Sequence, residues 1–332
     1  MAESVRKNHN SLRVKLIAMT VMLFVICMTL AILRWVPRPA NTYFWFEIYN
    51  WGHLWLFAVI MLVSTWTITK IKPELSFTLT IISAALFSIA FAGMSELMQM
   101  DVRGRNADIK DLGRDVAGIS ISIAGLLFWK YFSRPSEKKL KVAILSLIIS
   151  FPLFATVTWP VIKMLKAYIG QSSELPILFS PELGWSRPFV TNIRSRLTYA
   201  SAPENFSDFK GENCLHVRTS RRRFTGVAFT DLYANWSKYR QLNLEIWSGA
   251  NLELPFLIRL DAAKDPYVDD DWAHTLLTLK PGSNLINVNL NELVNDGTGI
   301  RFNRGNVTDI LAVTTGRTRP QNLCFGRMTL SN

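Results

Sequence analysis

Glu96-Leu-Met-Gln99-Met-Asp-Val-Arg-Gly-Arg105-Asn-Ala-Asp108-Ile-Lys-Asp111-Leu-Gly-Arg-Asp115-Val-Ala-Gly118 is a dense polar cassette between two long apolar stretches. Ionisable side chains at hydrocarbon depth cost several kcal/mol unless they pair with one another or meet water, so each one is a functional candidate until packing explains it. Residues three or four apart share a helix face. Glu96 and Gln99 therefore form one polar face, Asp111 and Asp115 a second, and the segment carrying Arg105 and Asp108 joins them.

Working outward, five stretches are long and apolar enough for a bilayer that needs about 20 residues: 16–36, 51–68, 77–98, 116–132 and 142–162, the fourth being the weakest. The first ends in Arg34-Trp35-Val36-Pro37 without a small-residue cleavage site, so it reads as an uncleaved first helix and not as a signal peptide. At 332 residues, 49% hydrophobic and 19% charged, the chain is too apolar for one soluble domain and too long for a bare anchor, so two unlike halves are expected. Charge divides the same way: residues 1–169 hold 19 Lys and Arg against 9 Asp and Glu, residues 170–332 hold 18 against 16. The basic excess belongs to the apolar half, which points to lipid head groups and topology and away from nucleic acid. In the second half only Arg221-Arg222-Arg223 suggests a polyanion contact, and a solvated strand end is its simpler reading.

Loop charges set the expected orientation. With the N-terminus in the cytoplasm, eleven basic residues lie inside (Arg6, Lys7, Arg13, Lys15, Lys70, Lys72, Lys130, Arg134, Lys138, Lys139, Lys141) and six outside (Arg34, Arg38, Arg103, Arg105, Lys110, Arg114). Five crossings then place everything after about residue 165, and the polar cassette, on the extracytoplasmic side of a cytoplasmic membrane.

After Gly170 the pattern changes from apolar runs to alternation. Strand-like segments recur at 213–219, 226–232, 242–248, 254–261, 274–279, 285–290, 310–315 and 323–330, separated by turn signals such as Lys280-Pro-Gly-Ser283 and Asn295-Asp-Gly-Thr298. About eight short strands so spaced predict an antiparallel β-sandwich, most simply a jelly roll. The expected fold class is thus multidomain: an α-helical integral membrane bundle followed by that sandwich. Its divisions are a cytoplasmic tail at 1–12, a transmembrane domain at 13–168, a linker at 169–185 and an extracytoplasmic sandwich at 186–332. Pro152 and Pro160 are expected to interrupt the fifth helix, leaving Gly170-Gln-Ser-Ser-Glu-Leu-Pro176 as a short tether.

Cys27 stands alone in the first helix, while Cys214 and Cys324 occupy the first and last of the eight segments. In an oxidising compartment they form a disulfide; otherwise they are two buried thiols.

His53, in Asn50-Trp-Gly-His53-Leu-Trp-Leu-Phe, sits in the first turn of the second stretch, on the same side as the cassette. The order Glu96, Gln99, Arg105, Asp108, Asp111, Asp115, Gly118, with His53 on the preceding helix, resembles the VanZ-like membrane family over roughly residues 40–135. Two positions depart from the family pattern: Tyr49-Asn50 stands where Asp-Lys is usual, and Asp115 where Asn is usual. The resemblance implies a bacterial envelope location and, through the family's name, a link to glycopeptide resistance, without a settled reaction. Chemically, three readings of the cluster stand: an ion network that locks three helices, a site for a lipid-linked anionic head group gripped by Arg105, or an acid–base centre using His53 or Glu96. No nucleophile spacing and no His-x-x-x-His or paired-Cys pattern is present in this half, so neither a metal nor a cofactor is expected. A transporter fits poorly, because five helices without an internal repeat leave little room for alternating access.

In the second half, Tyr233-Ala-Asn-Trp236, Arg259-Leu-Asp261, Tyr267-Val-Asp-Asp-Asp-Trp272 and Leu279-Lys-Pro-Gly282 follow in an order that resembles carbohydrate-binding-module-like and galactose-binding-like sandwiches over about residues 205–331. Aromatic rings stack on sugar faces and carboxylates bind hydroxyls, which makes Asp261, Tyr267 and Trp272 candidate glycan contacts, whereas Trp236 and Trp247 suit the core. Asp265, Asp269, Asp270 and Asp271 match no calcium-loop spacing and read as a solvated acidic loop. The expected partners are membrane lipids and an envelope glycan or exopolysaccharide, with no nucleic acid.

Overall fold

The computed structural model describes residues 2–35, 42–99, 109–132, 137–207, 209–232, 235–262, 272–296, 299, 301–316 and 319–332. The chain divides into two compact units, Met1–Ile162 and Lys163–Asn332.

The first unit is helical: α1 (Ala2–Trp35), α2 (Tyr43–Ile71), α3 (Phe77–Gln99), α4 (Ile109–Phe132) and α5 (Glu137–Ser173), whose last turns belong to the second unit. All five contain segments long and apolar enough to cross a membrane. Helix starts are capped by short hydroxyl side chains: Thr42 accepts from the Trp45 amide at 3.4 Å, and Ser76 from the Leu79 amide at 3.3 Å. The bundle is apolar on its outside as well as in its core, and a few polar side chains are buried within it. Leu86, Ile148 and Phe151 point outward at 64%, 62% and 70% exposure, while Asn50, His53, Ser88, Ser95, Glu96, Asp115 and Ser122 are buried. Lipid accepts the first set, and the interior must pair the second.

α2 and α4 form the tightest crossing, for a reason written in α4. Gly118 has no side chain, and a Cβ there would run into the Leu54 carbonyl of α2. One turn later Ser122 Oγ donates to the Ala58 carbonyl at 2.9 Å. Small residues four apart thus let two backbones meet without intervening side chains, the usual means of helix association in an apolar medium. The packing below them is Phe57, Ile60 and Met61 of α2 against Ile81, Ala84 and Phe91 of α3 and Ile119 of α4.

Two expectations are corrected. The helix expected from 116 begins at Ile109, so Asp111 and Asp115 lie on α4 itself and not in a lead-in. Nor do Pro152 and Pro160 break α5, which runs through both to Ser173. Pro152 and Pro160 leave the Ile148 and Thr156 carbonyls without their helical N–H donors, and between them Thr156 Oγ1 makes the ordinary threonine back-bond to the Pro152 carbonyl at 2.8 Å. The stretch expected as a linker is accordingly structured: it ends α5, and Ile177–Phe179 joins a sheet with Leu178 and Phe179 in the core.

The second unit is a sandwich of β1 (Ile177–Phe179), β2 (Val190–Ile193), β3 (Arg196–Ser201), β4 (Asn213–Arg218), β5 (Thr225–Phe229), β6 (Gln241–Ser248), β7 (Leu254–Ala262), β8 (Trp272–Leu279), β9 (Gly282–Asn289), β10 (Val307–Thr314) and β11 (Asn322–Ser331). One sheet runs β3-β4-β11-β6-β9, with β1 also on β11; the other runs β2-β5-β10-β7-β8, and the pairings are antiparallel. From β4 to β11 the strands change sheet in the order of a jelly roll, with β4-β11-β6-β9 facing β5-β10-β7-β8. Alternation along β6, Leu242, Leu244 and Ile246 inward, meets Phe256, Ile258 and Leu260 of β7, and Trp236, Phe229 and Phe325 fill the space between. β8 and β9 are the edges of the two sheets on the same side, linked through Lys280 and Pro281, with Gly282 at φ +84° where a side chain would be strained.

Candidate functional site

The α2–α4 contact brings His53 against Asp115. His53 Nδ1 lies 3.0 Å from Asp115 Oδ1, and Glu96, near the end of α3, completes a group whose candidate ligand atoms all lie within 4.8 Å of one another. The three residues are 8%, 0% and 7% exposed in the order His53, Asp115, Glu96. Gly118 is the cause of this proximity, since it lies on α4 one turn after Asp115 and fixes the distance to α2. Asp115 Oδ2 is buried and has no hydrogen-bond partner among the described residues. Asp111, expected on the same face, instead bonds Arg114 within α4. The Gln99 side chain, Arg105 and Asp108 lie outside the described residues.

On the sandwich, the outer face of the β2-β5-β10-β7-β8 sheet carries a second cluster. Register sets Asp261 of β7 opposite Trp272 of β8, Arg259 opposite His274, and Asp309 of β10 opposite Asp261. Arg259 Nε donates to Asp261 Oδ1 at 2.6 Å while its guanidinium lies 4.5 Å from the centre of the Trp272 ring. The Trp272 and His274 rings are 5.7 Å apart, and His274 Nδ1 is bonded to Asp296. Burial, together with the neighbouring Asp261 and Asp231 carboxylates, pushes the Asp309 carboxyl up to about 6, against the lowering effect of its bond with Thr308. His274 and Asp296 also line a cleft of about 770 Å³ along the open edge between β8 and β9, where Thr278, Asn284, Asn287 and Asn289 present hydroxyls and amides.

Asp261 and Trp272 are therefore brought together, and Arg259, His274 and Asp309 join them. Arg259 was marked only as part of the Arg259-Leu-Asp261 segment, and His274 and Asp309 carried no signal in a single strand; the pairing register sets all three beside Trp272 and Asp261. Tyr267, Asp265, Asp269, Asp270 and Asp271 lie outside the described residues. Trp236 is fully buried in the core, and Trp247 packs in a satellite cluster with Phe206, Phe209 and the disulfide-bonded Cys214 and Cys324, whose Cα atoms are 5.8 Å apart. Arg221 lines a shallower cleft of about 510 Å³ with Arg194, Arg196 and Arg218; Arg196 and Arg218 are directly opposed on β3 and β4.

No family model matches the chain, and no curated protein matches it. Among solved structures, the chain is similar to a family 11 carbohydrate-binding module from Clostridium thermocellum in complex with a β-1,3-1,4-mixed-linked tetrasaccharide, at 14% identity over 43% of this chain and 89% of the module, with a TM-score of 0.34. A family 30 carbohydrate-binding module gives 15% identity over 48% and 90%, TM-score 0.33. An exo-β-agarase gives 11% identity over 47% of this chain and 25% of the enzyme, TM-score 0.37.

Proposed function

We propose that this chain is a multi-pass protein of a bacterial cytoplasmic membrane whose sandwich lies outside the cytoplasm and binds an envelope or exported polysaccharide. The observation that carries the reading is the Trp272 row. An aromatic ring set among Arg259, Asp261 and His274 adjoins, through His274 and Asp296, a cleft of about 770 Å³ lined by amides and hydroxyls. That combination suits a ligand with apolar faces and many hydroxyl groups, and the volume lies within the range of small-ligand sites. Tyr267 belongs to the same proposed surface by sequence. The helical unit, VanZ-like in its Glu96-to-Gly118 pattern, anchors the sandwich, and its polar cluster locks the helices or receives a lipid-linked glycan head group. Basic residues concentrated in the inner loops support the orientation, which reporter fusions at residue 105 and at the C-terminus test: activity confined to the cytosol overturns it.

The binding test uses the full chain in detergent against peptidoglycan, lipopolysaccharide and exopolysaccharide fractions. Retention by at least one is expected, with a loss of about tenfold or more in Trp272→Ala, since one buried aromatic stack is worth on the order of 1.5 kcal/mol. Absence of binding to all three, or equal binding by the variant, rejects the reading.

A second reading makes the helical unit a hydrolase or transferase acting on lipid-linked phospho-sugars, with His53, Glu96 and Arg105 at its centre, or a glycopeptide-tolerance factor. It is favoured by the 3.0 Å contact between His53 and Asp115, the arrangement that orients an imidazole for proton transfer. Lipid products unchanged by His53→Ala exclude it.

A further inference from the structure

Two carboxylates and an imidazole, each more than nine-tenths buried, converge from three helices at the end where α2 begins, α3 ends and α4 begins. His53 Nδ1 faces one oxygen of Asp115 at 3.0 Å, while Asp111 on the same helix is bonded to Arg114. Asp115 is the telling member of the group. It has no solvent exposure, one oxygen faces His53, and the other has no hydrogen-bond partner among the described residues. A buried carboxylate oxygen without a donor is costly in a low-dielectric interior, and a cation relieves that cost without any rearrangement of the helices.

We propose that His53, Glu96 and Asp115 form a binding site for one divalent first-row transition-metal cation, with Zn2+ as the best-matched ion. The donor set decides the class. One imidazole nitrogen and two carboxylate oxygens are borderline ligands that suit zinc and its neighbours, whereas calcium and magnesium favour all-oxygen sites. The spread of 4.8 Å between candidate ligand atoms closes onto an ion through side-chain rotation of the long Glu96 chain. Three protein ligands leave a position open for water or an oxygen of a ligand. The scaffold is firm where it matters, because Gly118 against Leu54 and Ser122 on Ala58 fix α4 on α2 beside the site. The three residues stood out along the chain as members of a polar cluster but not as a ligand set: they lie 43 and 19 residues apart, one on each of three helices, and no short metal motif joins them. The inference does not depend on the glycan reading.

The test uses the full chain purified in detergent, stripped with a chelator and kept non-reducing so that Cys214 and Cys324 stay joined. Titration with Zn2+ is expected to fill one site per chain, to raise the melting temperature, and to compete with Co2+, whose visible bands report nitrogen and oxygen ligation. Glu96→Gln and Asp115→Asn are expected to weaken Zn2+ affinity by about 100-fold or more and to abolish the melting shift. Should Asp115→Asn fail to fold, Glu96→Gln and the Co2+ spectrum of the unaltered chain still decide the matter. No stoichiometric zinc, zinc binding that survives Glu96→Gln, or a thiolate-type Co2+ spectrum overturns the proposal. So does filling of the site by Mg2+ or Ca2+ in preference to Zn2+.

Discussion

Gly118 and Gly125 lie on one helix two turns apart, yet their surroundings are opposite. A Cβ at Gly118 meets the Leu54 backbone, whereas one at Gly125 meets nothing within 4 Å. Gly118→Ala is therefore expected to cost about 1–3 kcal/mol by forcing α4 away from α2, and to part His53 from Asp115. Gly125→Ala is expected to be neutral or to gain up to about 1 kcal/mol of helix propensity. Thermal melts of both variants in one detergent make the comparison, and equal losses would remove the close-contact account. Asp309 gives a second residue-scale expectation. Burial pushes its carboxyl up to about 6 in the folded chain from the ordinary 3.8, so the fold holds the proton more tightly than the unfolded chain does. The associated stability is fully present below pH 3.8 and is lost as pH rises through about 6. Asp309→Asn keeps the neutral shape at every pH. It should raise the melting temperature at about pH 7.5 and leave it unchanged near pH 4; a gain of the same size at both values would assign the effect to something other than ionisation.

At the scale of elements, β3 and β4 set Arg196 directly opposite Arg218, both exposed. Like charges across an antiparallel pair are destabilising by about 0.2–1 kcal/mol, and salt screens the effect. Arg196→Glu should consequently stabilise the second unit by up to about 1 kcal/mol in low salt, with the gain shrinking as salt is added; a destabilised variant would show that the arginine makes a contact the fold needs. The β4–β11 pair also carries the Cys214–Cys324 disulfide, with a sequence separation of 110. Replacing both cysteines by serine is expected to cost about 4 kcal/mol in denaturant titrations, because so long a loop loses much of its unfolded-state entropy when closed. A cost under 1 kcal/mol would argue against that closure. Strand legibility follows burial. The eight segments read from alternation correspond to β4 through β11, while β1, β2 and β3 escaped, being three, four and six residues long. β2 and β3 are sheet edges without a fully buried residue, so few large apolar side chains mark their inward positions.

For the whole molecule, the change from apolar runs to alternation near residue 170 carried the division into helices and sandwich, because each half writes its own hydrophobic period. The candidate sites were legible only in part. Spacing along single helices singled out His53, Glu96 and Asp115, but their convergence depends on Gly118, whose role is visible only once two helices are in contact. His274 and Asp309 stayed hidden for the corresponding reason in a sheet, where the neighbour that matters belongs to another strand. The same helix contact bears on how the chain is made. Of the five candidate spans, the one on α4 has the lowest hydropathy, and Asp115 lies inside it. Left to itself, such a segment is a poor substrate for the insertion machinery, which partitions nascent helices by their free energy in lipid. α2 emerges from the ribosome first, and its His53, Leu54 and Ala58 offer α4 a partner surface at which the carboxylate and hydroxyl are already accommodated. On the proposed five-span topology, insertion of α4 then becomes conditional on α2, and a chain lacking α2 is expected to lose both crossings, so that α3 spans in the opposite sense while α5 keeps its own.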